Sequence, residues 1–374
     1  MIIATDATTS SAVTTSSSNE AQRVVDICNA CRYCEGLCAT FQSMTHYRAF
    51  TPADLDHLAN LCHNCTACYH DCQYAPPHEF AVNVPEALAD LRVASYQRYA
   101  WPNVFARLFH NNATVSTLVT GLVLTAVLVI SSLMISSETL FSAHQGDFYA
   151  VISHGTMVWV ASATFGFGTL ALLASLLKYW QATALPGKSV TLWHWFTAMR
   201  HVASLRYLDG GHGDGCSTSD DRPSKLRRWF HHLTMWGFVL CFLATCVATI
   251  YHYALDLPAP YPFLSLPVQL GTIGGLGLII GPLGLMWLKH RADENTTATS
   301  HQGLDYAFLV SLLMISFTGM LVLALRDTAA MPITLLIHLG FVFTFFIQIP
   351  FSKFVHGFYR LIALIRFAQQ QDPS

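Results

Sequence analysis

Two cysteine runs constrain this chain more than anything else in it. The first reads Cys28-Asn-Ala-Cys31-Arg-Tyr-Cys34-Glu-Gly-Leu-Cys38, the second Cys62-His-Asn-Cys65-Thr-Ala-Cys68-Tyr-His-Asp-Cys72. Each has the form C-x2-C-x2-C-x3-C, and together they hold eight of the 11 cysteines. Structural zinc usually takes paired knuckles with two ligands from each side, so this spacing suits it poorly. Disulfides suit it less, because neighbours in so tight a loop bridge with strain.

The spacing is that of the bacterial two-cluster ferredoxin run. A cubane core needs four converging thiolates. Three come from one tight loop, and the fourth from the other run. Two [4Fe–4S] clusters are therefore expected, one on Cys28, Cys31, Cys34 and Cys72, the other on Cys62, Cys65, Cys68 and Cys38. The usual run ends in Cys-Pro. Here Ala39 follows Cys38 and Gln73 follows Cys72, so the turn after the fourth thiol has to be made another way, with Pro76-Pro77 available in the second run.

The rest of the chain belongs to a membrane. Of 374 residues, 53% are hydrophobic and 11% charged, about half the charged share usual in soluble proteins. The net charge of -2 argues against a nucleic-acid partner. Residues 1–20 form a Ser/Thr/Ala tail without periodicity, expected to be disordered. The tail has no apolar run long enough for a signal peptide, so the cysteine domain is expected to stay on the side where it is made. Residues 21–100 read as the ferredoxin-like domain and its linker. Within it, residues 52–61 predict a helix with Thr51 as N-cap and Pro52 at its first position, and residues 85–100 predict another.

Residues 101–374 read as a transmembrane bundle. Six apolar segments, at about 115–137, 151–177, 232–253, 268–288, 304–325 and 333–355, are each near the roughly 20 residues a spanning helix needs. Lys and Arg concentrate in the 178–231 loop, in the link between segments four and five, and in the C-terminal tail. That bias places both termini, the cysteine domain and the 178–231 loop in the cytoplasm of a bacterial inner membrane protein. The fold class is thus mainly α: a two-cluster ferredoxin-like domain followed by a six-helix bundle.

The chain has 18 histidines, and an ionisable group within a bilayer is a functional hypothesis by default. His231 and His232 open segment three and His252 closes it. His338 opens segment six and His356 closes it, and His154 begins segment two. Segments three and six run antiparallel, so His231 or His232 should face His356 at one depth, and His252 should face His338 at the other, with His154 as a rival. In a continuous helix His338 and His356 are about five turns apart on one face. One or two bis-histidine b-type haems would explain the pattern. Cys241 and Cys246 read as apolar filler within segment three. The Gly-rich loop 209–216, ending in Cys216, reads as a turn over the cysteine domain.

Four strings carry a family likeness: Cys62–Phe80 (CHNCTACYHDCQYAPPHEF), Leu205–Cys216 (LRYLDGGHGDGC), Arg227–Leu233 (RRWFHHL) after Arg222-Pro-Ser, and Lys353–Arg360 (KFVHGFYR). They resemble the tricarballylate/citrate utilization protein B family, from about residue 20 to the C-terminus. The resemblance implies an electron-transfer partner of a separate FAD-dependent dehydrogenase that oxidises tricarballylate to cis-aconitate. In it, electrons from the flavin pass to the membrane quinone pool. A related fused protein in cobalamin synthesis carries flavin, haem and iron–sulfur centres. Separately, His338-Leu-Gly with Pro350-Phe-Ser-Lys and His356 is similar to the last haem-binding helix of the cytochrome b subunit of respiratory nitrate reductase. This likeness implies ligand roles for His338 and His356. It departs in segment three, where the cytochrome has a second His about ten residues after the first and this chain has Cys241 or Phe242.

The expectation is an electron wire from a partner's reduced FAD, through two clusters and haem b, to quinone, with Trp229 and Lys353 as candidates for the quinone headgroup. The alternative is a catalytic membrane subunit that reduces a disulfide or uses oxygen in cofactor biosynthesis. That would need a fifth, non-ligand cysteine near a cluster, for which Cys216 is the soluble candidate.

Overall fold

The computed structural model describes residues 7–109, 111–211, 213–216, 223–296 and 301–372. Among them no strand forms beyond one antiparallel bridge, Cys216 to Ser224. The N-terminal part is built from α1 (Ala7–Cys31), α2 (Ala39–Met44), α3 (Pro52–Leu61), α4 (Ala67–His70) and α5 (Val84–Tyr99). α3 starts as its sequence predicts. The Thr51 Oγ1 accepts from the Asp54 N–H at 3.3 Å, and the Asp54 carboxylate accepts from the Thr51 N–H at 2.9 Å, so two orphan donors are satisfied reciprocally. The apolar faces of α1 (Val24, Val25), α3 (Leu55, Leu58) and α5 (Leu88, Leu91) make one core.

The tail is a correction. Residues 1–6 lie outside the described residues, but α1 is already helical from Ala7 rather than irregular to residue 20. The C-terminal half of α1 is anchored by buried Ala21, Val24 and Val25. Once a helix is nucleated there, extending it is far cheaper than starting it.

Next come α6 (Asn112–Met134), α7 (Ser137–Leu140), α8 (His154–Ala182), α9 (Leu192–Ala203), α10 (Leu226–Ala254), α11 (Leu266–His290), α12 (Gln302–Leu325), α13 (Met331–Gln348) and α14 (Val355–Gln371). Among the described residues six stretches are long and apolar enough to cross a membrane: α6, α8, α10, α11, α12 and Met331–Gln371. Their polarity is reversed relative to a soluble bundle. α6 buries only Asn112 and Ser116 while Leu118, Leu122 and Leu133 face outward. The Asn112 amide donates to the Phe351 carbonyl at 2.8 Å. Such a helix is stable where its surroundings are apolar and its few polar groups find partners inside. α10 and α11 meet backbone to backbone through small residues. A Cβ on Gly274 would stand 2.8 Å from both the Cys241 Sγ and the Gly237 carbonyl, the close approach that glycine permits between membrane helices. Cys241 thus packs in the helix interface, as its sequence context predicts.

The sixth segment is a second correction. Residues 333–355 are not one helix: α13 ends at Gln348, Ile349–Phe351 form a 3-10 turn, and α14 restarts at Val355. Pro350 lacks the N–H that would continue the ladder and restricts the residue before it. α14 therefore leaves the bundle, and its Ala363, Leu364, Ile365 and Phe367 join the core of the N-terminal domain. The boundary drawn at residue 100 separates the chain by sequence, but the first and last helices share one core.

Candidate metal centres

The eight cysteines gather around two cavities. One, of ≈ 340 Å³ including its open mouth, is lined by Cys28, Cys31, Cys34 and Cys72. The other, of ≈ 440 Å³, is lined by Cys38, Cys62, Cys65 and Cys68. Each cavity thus takes three thiols from one run and the last thiol of the other. Phe41 lines both and forms part of the wall between them. Left-handed turns at Arg32, Asn64 and Thr66 wind the short loops around the cavities. In the second, the Asn64 N–H points at the Cys62 Sγ, 3.4 Å away. The missing Cys-Pro turns are replaced. Cys38 opens α2 directly, and after Cys72 a turn carrying Pro76-Pro77 is closed by the His78 N–H on the Ala75 carbonyl at 3.0 Å.

Two features test what these cavities fit. Among the described residues no three His, Cys, Asp or Glu side chains converge tightly enough for a single metal ion, so the thiols surround a volume instead of a point. Burial, reinforced by neighbouring thiols, pushes Cys28 and Cys34 up to about 12. Buried thiols of this kind become thiolates side by side only around a strongly cationic core. A multi-iron cluster meets both conditions.

The cavities differ in access. The first lies beside exposed Cys31 and Tyr33, the latter 72% exposed. The second is covered by Tyr207 and by Gly210 and Gly211 of the 209–216 loop, the turn its sequence predicts. Gly211 has φ +84°, and a Cβ there would meet the Leu37 carbonyl at 2.6 Å. Cys216 is buried (3% exposed) beside Cys65, but it does not line the cavity. The end of α3 and the turn after it, residues 59–64, are held by three arginines. Arg92 donates to the Ala59 carbonyl at 2.7 Å, Arg360 to the Cys62 carbonyl at 2.7 Å, and Arg227 to the Asn64 carbonyl. Arg227 comes from α10 and Arg360 from α14, so the second cavity is fastened to the bundle.

Directly beneath lies the first histidine pair. His231 and His356 stand with ring centroids 6.1 Å apart at 73°. His232 instead turns to the Ser204 carbonyl. The His356 Nδ1 is hydrogen-bonded to the Lys353 carbonyl, so it donates there and leaves Nε2 with its lone pair. Helix α10 reaches α13 and α14 through rings, Phe238–Phe345 at 5.9 Å and Phe238–Phe354 at 5.2 Å. His231 and His356 are the residues that would hold a haem here, and such a group would supply one-electron transfer. His63, next to Cys62, lines the second cavity and feels the charge of His231. Sequence reading missed this lining role. The His63 Nδ1 is 2.8 Å from the Leu61 carbonyl. Burial, then Arg360, holds its pKa well below the ordinary histidine value.

The far level differs from expectation. His252 does not face His338; it stacks on His154 at 4.1 Å and 17°, too close for an iron between the rings. The His338 Nδ1 is 3.1 Å from the Thr318 Oγ1, and Gly319 lies against the ring. The physical reason is depth. His252 lies two residues from the end of α10, whereas His338 lies seven residues into α13, roughly 10 Å from its start. Of the quinone candidates, Trp229 is exposed, but the Lys353 ammonium is bound to Asp305, which Lys289 also holds at 2.7 Å.

The fold and site define a membrane protein in which a Fer4-like cysteine domain is seated on a helical bundle. Comparison with known proteins supplies the family. Residues 21–98 match the model of the citrate utilization protein B Fer4-like domain, and residues 109–373 match that of citrate utilization protein B. The chain is 45% identical over 350 residues to the citrate utilization protein B of Escherichia coli, covering 93% of this chain and 91% of that protein. It belongs to the citrate utilization protein B family. No solved structure matches it.

Proposed function

We propose that this protein is a membrane electron-transfer subunit that reoxidises the reduced FAD of a separate dehydrogenase, of the tricarballylate or citrate-related kind, and delivers the electrons to quinone. The observation that carries the reading is the pair of crossed four-cysteine cavities fastened above the His231–His356 pair. In this reading Cys28, Cys31, Cys34 and Cys72 hold one [4Fe–4S] cluster, Cys38, Cys62, Cys65 and Cys68 hold the other, and His231 and His356 hold one haem b. These groups exchange one electron at a time and so join a two-electron flavin to a two-electron quinone.

The protein's own residues set the order. The first cavity, beside exposed Cys31 and Tyr33, is where a partner's flavin can approach. The second is shut off by the 209–216 loop and tied to the bundle by Arg227 and Arg360, so it is the donor to the haem. His63 lines the second cavity. The N-terminal domain faces the cytoplasm of a bacterial inner membrane, on the side where Lys and Arg gather. The catalytic alternative needs a substrate pocket and a fifth, non-ligand cysteine beside a cluster; Cys216 lies beside Cys65 but is buried and lines neither cavity. The test is an optical spectrum of anaerobically purified protein mixed with a reduced flavoprotein dehydrogenase of this kind. The reading expects sharp low-spin haem bands over broad cluster absorbance, and bleaching of the cluster absorbance before the haem reduces. A colourless protein contradicts it.

A further inference from the structure

Helix α9 (Leu192–Ala203) is amphipathic the wrong way round for a helix on a soluble surface. Its protein-facing side is His194 and Ala198, both buried. Its outward side is a stripe at helical spacing, Leu192, Phe196 and Met199, exposed to 87%, 62% and 49%. Trp193, 67% exposed, and Trp195 flank it. A large apolar face left outward marks a surface that something covers.

Its place in the chain says what does so. The helix lies in the link between α8 and α10, two stretches fit to span the membrane, so both ends of the link return to one membrane surface. Trp180, in the last turn of α8, stacks on Trp195 with centroids 6.0 Å apart and planes at 18°. Just below, Leu173 and Leu177 of α8 face outward. The lipid-facing surface of α8 thus leads through the two indoles onto α9. Tryptophan favours the headgroup level, and exposed Arg200 suits a surface carrying anionic lipid. We propose that α9 lies in the membrane–water interface, its Leu192–Phe196–Met199 face sunk to the boundary of headgroups and acyl chains. There it props the cysteine domain against the bilayer by way of α14, whose Ala363 and Leu364 share a core with Ala198.

The full-length protein, reconstituted into phosphatidylcholine vesicles brominated near the headgroup end of the chains, provides the test. Tryptophan emission should be quenched, and Trp193→Phe should lose part of the quenched component. With bromine at the chain terminus, the two proteins should behave alike. The inference is overturned if wild type and Trp193→Phe are quenched equally by the shallow label. It is equally overturned if the Trp193 component responds to aqueous iodide and not to lipid, or is shielded from both, as a covering protein would do. If Trp193→Phe does not insert, Phe196→Trp reports from the same face and must gain shallow quenching.

Discussion

Cys38 and Cys72 are each the last thiol of their own run, and each lines the cavity of the other run. The exchange was legible from spacing alone, because three thiols in one tight loop cannot surround a cubane without a fourth from elsewhere. Replacing Cys31 or Cys65 with Ser should abolish electron transfer to quinone while leaving membrane insertion intact. Quinone reduction by inverted vesicles at the unmutated rate would contradict this. His356→Ala should remove low-spin haem absorbance, and an unchanged spectrum would move that ligand elsewhere. Less was legible at the histidines. Which of His231 and His232 turns inward depends on the rotation of α10, and neighbouring residues differ by about 100° around a helix. The position of His63 depends on how a cysteine loop docks onto the bundle, and no periodicity reports that. Its adjacency to Cys62 was the available signal.

The sixth segment shows why elements were read better by type than by extent. Its hydropathy continues through Pro350, so composition joined what backbone chemistry divides. The division frees α14 to dock on α2 and α3, where Ser43 of α2 donates to Gln370 at 2.6 Å and lies 3.2 Å from the Nε2 of His57 in α3. Burial, then nearby Arg366, lowers His57 to about 3, against about 6.5 for an unfolded histidine. The unfolded chain therefore binds the extra proton between those values. This contribution to stability is intact above about pH 6.5 and lost as pH falls toward 3, at about 1.4 kcal/mol per pH unit. Thermal melting of the detergent-solubilised protein should fall more steeply below about pH 6.5 than that of His57→Asn. Equal slopes would contradict the assignment. In the bundle, Gly274→Val should cost about 1–3 kcal/mol by forcing α10 from α11, read as a lowered melting temperature. An unchanged melt would show that the contact is slack.

At the scale of the molecule, six apolar runs and one cysteine-rich head were plain from composition, since few other arrangements hide so much uncharged chain. The joint between head and bundle was not. It is made by Arg92, Arg227 and Arg360 on main-chain carbonyls of residues 59–64, contacts that carry no sequence period. The far histidines also escaped, because level was judged by segment ends when His338 sits deeper in its helix than His252 does. What the whole account requires is that the head carry two cubanes in crossed cavities. Non-haem iron and acid-labile sulfide, counted per chain on protein purified without air, test it most directly. The count should be about eight of each, from two four-iron clusters. About four of each, or none, would contradict it.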